Sequence, residues 1–522
     1  MIRIGAAASA TAAALFVTSV ANATVAGDSA LARKGVALAQ KHGWVQPEDA
    51  IHYRAMIARA VYDTRVLPKL RGRIIASQLS QLVPMWQSYT SPRALALFSQ
   101  LEENLDYLET HRIPPGRVDV KNDDGVVYRW FDGHGLEFHP LAAFGALNAV
   151  TATQDPESTK VLADALVARG IPRANRLIWE YSFRYGFGKP PWTSGMAQAV
   201  AAQALARAGA LLQDEGLIAA AARANAAVPP LTLLLPSGPW VKLYSFTREV
   251  VLNAQLQAVV SLYDYADATG DGSATALADS MKATAQAMLP RFDTGDWSLY
   301  ELGGFYAPKD YQLLVTQLLK KLAARTQDPF WLDAYNRFRS YYYDPPQVTQ
   351  TTPPPPVYLP GPVVFQLELS QKASVTLAVG GRISSYRLQR GPQTITWKPP
   401  ADMQPGIYPA QVAAKNYLGR SKTFKLAPVE LRAAAAPSPV DAHLEGTTLV
   451  WATTDTTTPW LALRVDLVDA SGQMQSIDLG QQPPSGSAAL TVPSGTWTAT
   501  LNATNASGLV TTVPLGTLTN AG

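Results

Sequence analysis

The spacing of apolar residues divides the chain near residue 347. Before that point, Ala- and Leu-rich stretches repeat their apolar positions about every 3.6 residues, which is typical of amphipathic helices. Gly270 stands where one such helix should stop, and a Pro-Pro pair at 229–230 ends another. The pattern predicts an all-α region with helices over residues 194–213, 217–228, 249–269, 274–289, 309–326 and 330–343.

Beyond residue 347 the apolar positions alternate in short segments. Four consecutive prolines at 353–356 exclude a helix and favour a semi-rigid extended spacer, so we predict a linker over 348–362. Alternating segments between turn residues then follow at a spacing typical of β-sandwiches. We predict an immunoglobulin-like sandwich over 363–428 and a fibronectin type III-like sandwich over 429–522.

Aromatic clusters recur ahead of the predicted helices. They are marked by Trp130, Trp179, Trp240 and Trp297, about 50 to 60 residues apart, and each interval fits one helical hairpin. Hairpins arranged in a ring over residues 24–347 would form an α/α toroid with an aromatic cleft, and aromatic faces suit sugar rings. Alternatively, each tryptophan anchors its loop on the core.

The N-terminus has the pattern of an export signal. Arg3 precedes an apolar stretch over 6–20, and Ala-Asn-Ala at 21–23 fits cleavage after Ala23. The apolar stretch is shorter than the roughly 20 residues that a membrane-spanning helix needs, and no later segment is long and apolar enough. We therefore expect 1–23 to be a signal peptide and the product to be secreted, periplasmic or at the cell surface.

Composition excludes several classes of protein. The chain has no cysteine, so it has no disulfide, thiolate metal site or cysteine nucleophile. Its 44 Lys and Arg against 40 Asp and Glu give a net charge of only +4 over 522 residues, with no basic run that could follow a phosphate backbone. We expect no nucleic-acid partner.

Three groups of segments carry a resemblance to a known family. Residues 138–147 (Phe-His-Pro-Leu-Ala-Ala-Phe-Gly-Ala-Leu) are similar to the Phe-Tyr-Pro…Tyr-Gly-Leu segment of the D-glucuronyl C5-epimerases. Residues 191–199 (Pro-Trp-Thr-Ser-Gly-Met-Ala-Gln-Ala) resemble their Pro-Gly-Trp-Tyr-Ser-Ala-Met-Ala-Gln-Gly segment. The third group follows in the family's order at 251–253, 261–264, 288–295, 299–300 and 310–311. Over about 138–343 the chain thus resembles a divergent member of the C-terminal domain type, with added β-sandwich modules.

The resemblance implies an α/α toroid that acts on, or binds, a polysaccharide containing uronic acids. The family reaction inverts C5 of a glucuronate, which requires a base on one face, an acid on the other and stabilisation of the enolate-like charge. By matching positions, the resemblance implies that Tyr244, Tyr300 and Tyr311 handle protons or contact substrate, and that Asn253 is a polar contact. His139 stands where the family carries a tyrosine and is the fourth catalytic candidate. The chemistry requires no metal or cofactor, and we expect none.

Two further positions depart from the family pattern. Leu243 stands where the epimerases place a Glu before the catalytic tyrosine, and Gly303 stands where they place an Arg. Either Arg184, Arg248 and Glu249 supply the missing charges from neighbouring loops, or the same cleft performs another reaction.

The aromatic loops supply further candidates. We expect substrate contacts from five of their residues, Trp192, Tyr185, Trp297, Glu180 and Glu301. Two carboxylates that flank a glycosidic bond would make a glycosidase, so Glu180 and Glu301 also support a hydrolase hypothesis. Asp293 is a further candidate acid or base, although an Asp in such a turn more often holds the backbone.

One histidine cluster invites a metal interpretation. His134 and His139 lie close in sequence to Asp132 and Glu137, but a metal site needs three or four convergent ligands. The glycines at 133 and 135 indicate a turn in which these side chains diverge, so we expect no metal.

The sequence therefore predicts an exported carbohydrate-active protein that binds an acidic polysaccharide or another glycan. Tyrosine-mediated epimerisation at C5 is the leading hypothesis. A polysaccharide hydrolase or lyase on the same toroid, or a non-catalytic glycan-binding surface protein, are the alternatives.

Overall fold

The structure, a computed structural model, describes residues 24–438, 440–454 and 460–520. The predicted signal peptide, 1–23, lies outside these residues. The chain divides into two compact units, Met1–Tyr343 and Asp344–Gly522. Within the described ranges, none of the helices combines the length and the apolar character that crossing a bilayer requires.

The first unit is built mainly from helices. The six helices predicted from the apolar pattern are confirmed to within a few residues, and Gly270 ends its helix in the left-handed conformation with φ of +74°. The described helices are α1 (Val25–Lys41), α2 (Pro47–Val66), α3 (Lys69–Leu82), α4 (Ser91–Thr110), α5 (Pro140–Ala152), α6 (Pro156–Ala168), α7 (Gly195–Leu212), α8 (Glu215–Asn225), α9 (Leu252–Thr269), α10 (Gly272–Met288), α11 (Lys309–Thr326) and α12 (Pro329–Tyr343).

The helices from α5 onward form two layers. Helices α5, α7, α9 and α11 pack side by side in one layer, and α6, α8, α10 and α12 pack against them in the other. Helices α7 and α9 are buried along most of their length because they have neighbours on several sides. Helices α1 to α4 also pack on one another, and their buried side chains share one hydrophobic core with those of α5 to α8. Closure of these layers into a toroid stays a prediction.

The first unit is not all-α, which corrects the sequence-based expectation. From residue 24 onward it contains three small antiparallel sheets between helices. Their strands span only three to five residues, too short for an alternating pattern to stand out from the surrounding loops. They are β1 (Asp119–Lys121), β2 (Val127–Phe131) and β3 (Gly135–Phe138), then β4 (Ile171–Arg173) with β5 (Arg176–Ile178), and β6 (Thr232–Leu235) with β7 (Gly238–Val241).

The four tryptophans that mark the aromatic clusters lie in the core. Trp130, Trp179, Trp240 and Trp297 are each at most 1% exposed. The indole N–H of Trp179 donates to the carbonyl of Leu166 at 2.7 Å, which ties one loop to α6. These side chains therefore anchor their loops, and the recurrence does not by itself build an aromatic cleft.

The second unit is built from strands, as predicted. Its strands are β8 (Val348–Thr352), β9 (Val357–Tyr358), β10 (Val363–Leu369), β11 (Ala373–Val379), β12 (Arg382–Leu388), β13 (Gly391–Trp397), β14 (Gly406–Lys415), β15 (Ser421–Arg432), β16 (Val440–Glu445), β17 (Thr448–Thr453), β18 (Leu461–Val468), β19 (Met474–Gln482), β20 (Ser485–Ala489), β21 (Gly495–Asn505) and β22 (Val510–Asn520).

These strands form two pairs of sheets with separate cores. The first pair has the orders β13-β10-β8 and β12-β11-β14-β15-β9, and its core includes Phe365 and Trp397. The second pair has the orders β16-β17-β20 and β19-β18-β21-β22, and its core includes Trp451 and Leu501. Alternate residues along β10 are buried, which is the pattern that predicted the strand.

The segment predicted as a linker, 348–362, carries two strands of the first sandwich. Strand β8 pairs with β10, and β9 pairs in parallel with β15. The prolines between them, 353–356, lack strand structure, because proline has no N–H to contribute to a ladder, and residues 359–362 after β9 also lie outside the strands. Strand β15 also runs across the predicted boundary between residues 428 and 429.

Candidate functional site

The four predicted catalytic residues lie at the start of helices in one layer or in the segments that precede them. His139 is the N-cap of α5, and Tyr311 lies in the first turn of α11. Tyr244 and Tyr300 lie in the segments that lead into α9 and α11. Because a second-layer helix returns the chain between one first-layer helix and the next, these starts share one end of the layer.

The aromatic rings of this region contact one another. The ring centroids of Tyr185 and Tyr244 are 5.2 Å apart, and those of Tyr300 and Tyr311 are 5.0 Å apart, edge to face. Trp192 lies 5.7 Å from the ring of Tyr244 and stacks on Tyr181 at 4.0 Å. We refer to Tyr185, Tyr244, Tyr300 and Tyr311 as the phenol cluster.

Burial and mutual repulsion hold two of these phenols in the neutral form. The pKa of Tyr244 lies well above its ordinary value because the side chain is desolvated, and because ionised Tyr300 or Tyr185 would repel its charge. Desolvation also raises the pKa of Tyr300, and the charges of Tyr311 and Tyr185 add to it. Both hydroxyls therefore carry their protons near neutral pH and can donate them.

Tyr311 differs because two arginines act on it. Its pKa is raised above the ordinary value by burial, and the positive charges of Arg117 and then Arg129 act in the opposite direction without cancelling that rise. The guanidinium of Arg129 pairs with Asp119, with Nε 2.6 Å from Oδ1, and that of Arg117 lies 5.3 Å from the ring centroid of Phe131. Among the three predicted tyrosines, Tyr311 has the surroundings that best stabilise a phenolate.

His139 is buried beside the same arginines. Its Nδ1 accepts a hydrogen bond from the backbone N–H of Ala142 at 3.1 Å, and its Nε2 lies 3.5 Å from a terminal nitrogen of Arg129. Desolvation, followed by the charges of Arg129 and Arg117, holds the pKa of His139 well below its usual value. The imidazole is therefore neutral, and only Nε2 remains to meet a ligand.

Arg117 and Arg129 are functional candidates that the sequence analysis missed. Arg129 lies in β2, where a short strand brings it across from β3 and next to the N-cap of α5. In the sequence, Arg129 is a charged residue between two aromatic residues, Tyr128 and Trp130, which are both buried. This pattern indicates a charged side chain on the opposite face of a strand, but only once the segment is recognised as a strand.

The charges proposed from the sequence are placed differently. Arg184 and Arg248 are exposed, and the arginines that act on Tyr311 are others. Glu249 is half-buried, its pKa is raised by desolvation and then by Glu301, and its charge acts on Tyr300. A carboxyl group is thus present near the phenol cluster, although Leu243 itself is buried and apolar.

Two predicted substrate contacts are corrected. Trp297 is fully buried, and its indole N–H donates to the carbonyl of Ala307 at 2.7 Å, so it cannot stack on a sugar. Asn253 is 4% exposed in the first turn of α9, which leaves its amide little surface for a ligand. Both residues lie on faces that pack inward.

Two of the carboxylates that could act in a hydrolase, Glu180 and Asp293, are paired with arginines. Arg93 holds Glu180 through two hydrogen bonds of 3.0 Å, and Arg173 pairs with one of the same oxygens. Asp293 has the expected structural role, since it accepts from the backbone N–H of Gly295 at 2.9 Å and pairs with Arg337 at 2.7 Å.

Glu301 and the histidine cluster complete the predicted set. Glu301 is half-buried and forms an isolated backbone bridge with Val251. In the parts of the chain that the structure describes, no three His, Asp or Glu side chains converge as a metal would require. The carboxyl group of Glu137 instead accepts from Gln78 and Gln81.

Comparison with known proteins adds a family match. Residues 173–340, about a third of the chain, match the model of the D-glucuronyl C5-epimerase C-terminus. An uncharacterised protein of Methanocaldococcus jannaschii is 24% identical over 180 residues, which cover 31% of this chain and 57% of that protein. The chain thus spans little more than half the length of this relative.

Solved structures are similar only at low scores. The endo-β-1,4-glucanase CMCax from Acetobacter xylinum is 16% identical with a TM-score of 0.27, covering 40% of this chain and 61% of that one. An endoglucanase from Komagataeibacter sucrofermentans is 16% identical with a TM-score of 0.28, covering 41% and 72%. Fibronectin(III)-like modules of Clostridium thermocellum CbhA are 15% identical with a TM-score of 0.18, covering 34% and 95%. TM-scores below 0.5 do not establish a shared fold.

Proposed function

Because residues 173–340 belong to the D-glucuronyl C5-epimerase C-terminus family, a family of carbohydrate-acting enzymes, we propose that this protein epimerises C5 of uronic acid residues in an acidic polysaccharide. The observation that carries the proposal is the phenol cluster beside Arg117 and Arg129. Their charges suit a carboxylate substrate, and the phenols supply groups that exchange protons.

The reaction has two proton transfers. A base removes the proton from C5, the electron pair is delocalised into the adjacent carboxylate, and an acid returns a proton to the opposite face of C5. The second step inverts the centre without breaking the glycosidic bond. The base must be an anion when substrate binds, whereas the acid must be neutral.

The charges around the phenols support an assignment of these roles. We assign the base to Tyr311, because Arg117 and Arg129 oppose the rise that burial causes in its pKa, and the acid to Tyr244 or Tyr300, whose pKa values are raised by burial and by neighbouring phenols. The same arginines would pair with the uronate carboxylate and stabilise the charge that develops on it. His139 would donate to substrate through Nε2.

The proposed architecture and location are those that the sequence predicts. We propose that the helical unit closes as an α/α toroid around the phenol cluster, and that the protein acts after export. The apolar stretch over 6–20 with Ala-Asn-Ala at 21–23 supports export.

The test is exchange at C5 in heavy water. Incubation with a glucuronate-containing polysaccharide should place deuterium at C5, detected by NMR, without shortening the polymer. Tyr244→Phe, Tyr300→Phe and Tyr311→Phe should each reduce the exchange rate about 100-fold or more, the contribution of a general acid or base. Tyr62→Phe, an exposed tyrosine on α2, is the matched control and should exchange at the wild-type rate.

Other products identify the alternatives. New reducing ends would show a hydrolase, and an unsaturated uronate absorbing in the ultraviolet would show a lyase. Binding without exchange or cleavage, unaffected by the three Tyr→Phe changes, would show a non-catalytic glycan-binding protein. Each of these outcomes contradicts the epimerase proposal.

A further inference from the structure

A further site lies in the helical unit beside the phenol cluster. It is a cavity of about 250 Å³ between the β4–β5 hairpin, the segment before α7, and the turn after α8. Since one water molecule occupies about 30 Å³ in the liquid, the cavity offers the space of about eight waters. That space fits one sugar residue rather than a polymer segment.

The charges that line this cavity favour an anion. Arg173, Arg176 and Glu180 contribute the ionisable side chains of the lining. Glu180 is already paired with Arg173 and, behind the wall, with Arg93. Arg176 is half-buried, and among residues 24–438, 440–454 and 460–520 no carboxylate lies within ion-pair distance of it. An anionic ligand would satisfy the guanidinium of Arg176.

The uncharged lining suits a sugar. Trp192 and Ile178 give the wall apolar surface, and the hydroxyls of Thr193 and Ser245 also line it. The Ser245 hydroxyl oxygen accepts from the backbone N–H of Thr193 at 3.1 Å, which leaves its own hydrogen available to donate. Apolar surface combined with a few fixed polar groups is the usual composition of a saccharide site.

The cavity adjoins the phenol cluster through two short links. Trp192 lines the cavity and also contacts the ring of Tyr244. Ser245, which lines the cavity, follows Tyr244 directly in the chain. A ligand in the cavity would therefore contact the segment that carries Tyr244, one of the tyrosines proposed to transfer protons.

We propose that this cavity binds a uronate residue of the polysaccharide other than the reacting one, with the guanidinium of Arg176 paired to its carboxylate. The choice of a uronate polymer rests on the proposed function, whereas the preference for an anionic sugar rests on the cavity itself. Arg176 here is a binding residue and takes no part in proton transfer.

The test measures binding by calorimetry on the whole protein. The probe is a tetrasaccharide that contains glucuronate, with glucose as the uncharged comparison. The Arg176→Gln variant lacks the hydrogen-bonded charge pair, so its affinity for the tetrasaccharide should be about 10- to 100-fold lower than that of the wild type. Arg176→Lys, which keeps the charge but loses the planar fork, should be intermediate.

Arg33→Gln is the matched control, because Arg33 is an exposed arginine on α1 away from the cavity. This variant should bind the tetrasaccharide with the affinity of the wild type. Equal affinity of Arg176→Gln and wild type, or glucose binding as tightly as the charged probe, would overturn the proposal. Arg176-dependent binding without C5 exchange would refute only the epimerase proposal. Exchange with no effect of Arg176→Gln on binding would refute only this site.

Discussion

At the scale of single residues, the phenols of one cluster have different surroundings. Tyr244 and Tyr300 face other phenols, and burial keeps them neutral. Tyr311 faces the charges of Arg117 and Arg129, which favour its ionised form. Burial raises the pKa of all three phenols, and the neighbouring arginines make a phenolate less unfavourable at Tyr311.

Glu137 is a second residue whose surroundings fix its protonation. Its carboxyl group is fully buried, and burial raises its pKa well above the ordinary value, although the amides of Gln81, Gln78 and Gln100 act in the opposite direction. One oxygen accepts from Gln81 at 2.6 Å, and the other has no hydrogen-bond partner. A protonated carboxyl is the form that this site stabilises.

This predicts how stability depends on pH. The unfolded chain releases the Glu137 proton near pH 4.3, whereas the folded chain keeps it to higher pH, so the free energy of unfolding decreases as pH rises above about 4.3. Each unit by which the folded pKa is raised is worth about 1.4 kcal/mol. Glu137→Gln removes this titration, so its free energy of unfolding should fall less than that of the wild type between pH 5 and pH 8.

Urea unfolding at the two pH values measures this difference. Glu157→Gln, an exposed change in the first turn of α6, should leave the pH dependence as in the wild type. If Glu137→Gln and the wild type lose equal stability over the interval, Glu137 is ionised in the folded protein and this account is wrong.

At the scale of elements, the start of α5 couples the site to the fold. His139 directly follows β3 and caps α5 by accepting a hydrogen bond at Nδ1. This bond holds the ring so that Nε2 lies 3.5 Å from a terminal nitrogen of Arg129. The neutral form that the cap requires is also the form that burial favours. The catalytic candidate is therefore positioned by a helix-capping hydrogen bond.

The cap can be tested apart from catalysis. His139→Ala removes the acceptor and should lower the free energy of unfolding by about 1 kcal/mol from the lost cap, with further loss from packing. His139→Asn keeps a side-chain acceptor and should lose less stability. Thermal unfolding followed by circular dichroism compares the two variants, and equal losses would show that the cap contributes nothing.

At the scale of the whole molecule, the chain is two units with separate cores. Asp344 belongs to the second unit, where its carbonyl accepts from the side chains of Gln371 and Asn416 at 3.1 and 3.2 Å. Strand β8 then covers one edge of β10, and Val348 is buried. The first sandwich therefore needs the residues that the sequence assigned to a linker.

This predicts different behaviour for two fragments. A fragment of residues 344–522 should fold and unfold cooperatively. A fragment of residues 363–522 lacks β8 and β9, exposes the edge of β10 and loses the burial of Val348, about 1.5 to 3 kcal/mol, so it should melt lower and associate. Circular dichroism melting and size-exclusion chromatography measure both properties, and equal melting temperatures would show that 348–362 is a linker.

The apolar pattern was sufficient for most of the fold. It predicted α7 to α12 within a few residues and the change to strands after the helical region, because helices and strands bury every third or fourth, or every second, side chain. It could not separate tryptophans that anchor loops from aromatic rings at a site. Trp192 contacts the ring of Tyr244, whereas Trp297 is fully buried and donates to the carbonyl of Ala307.

What the sequence determined by itself was local: the periodicity of its elements, and the segments that resemble the C5-epimerases, which supplied Tyr244, Tyr300 and Tyr311. What only the tertiary structure decided was which distant side chains meet. Arg129 lies in a small sheet and Arg117 in the segment that leads into it, both more than a hundred residues before these tyrosines, and no local pattern relates the arginines to the tyrosines. Charge acts through space rather than along the chain, so the positive side of this site was defined only once the chain had folded.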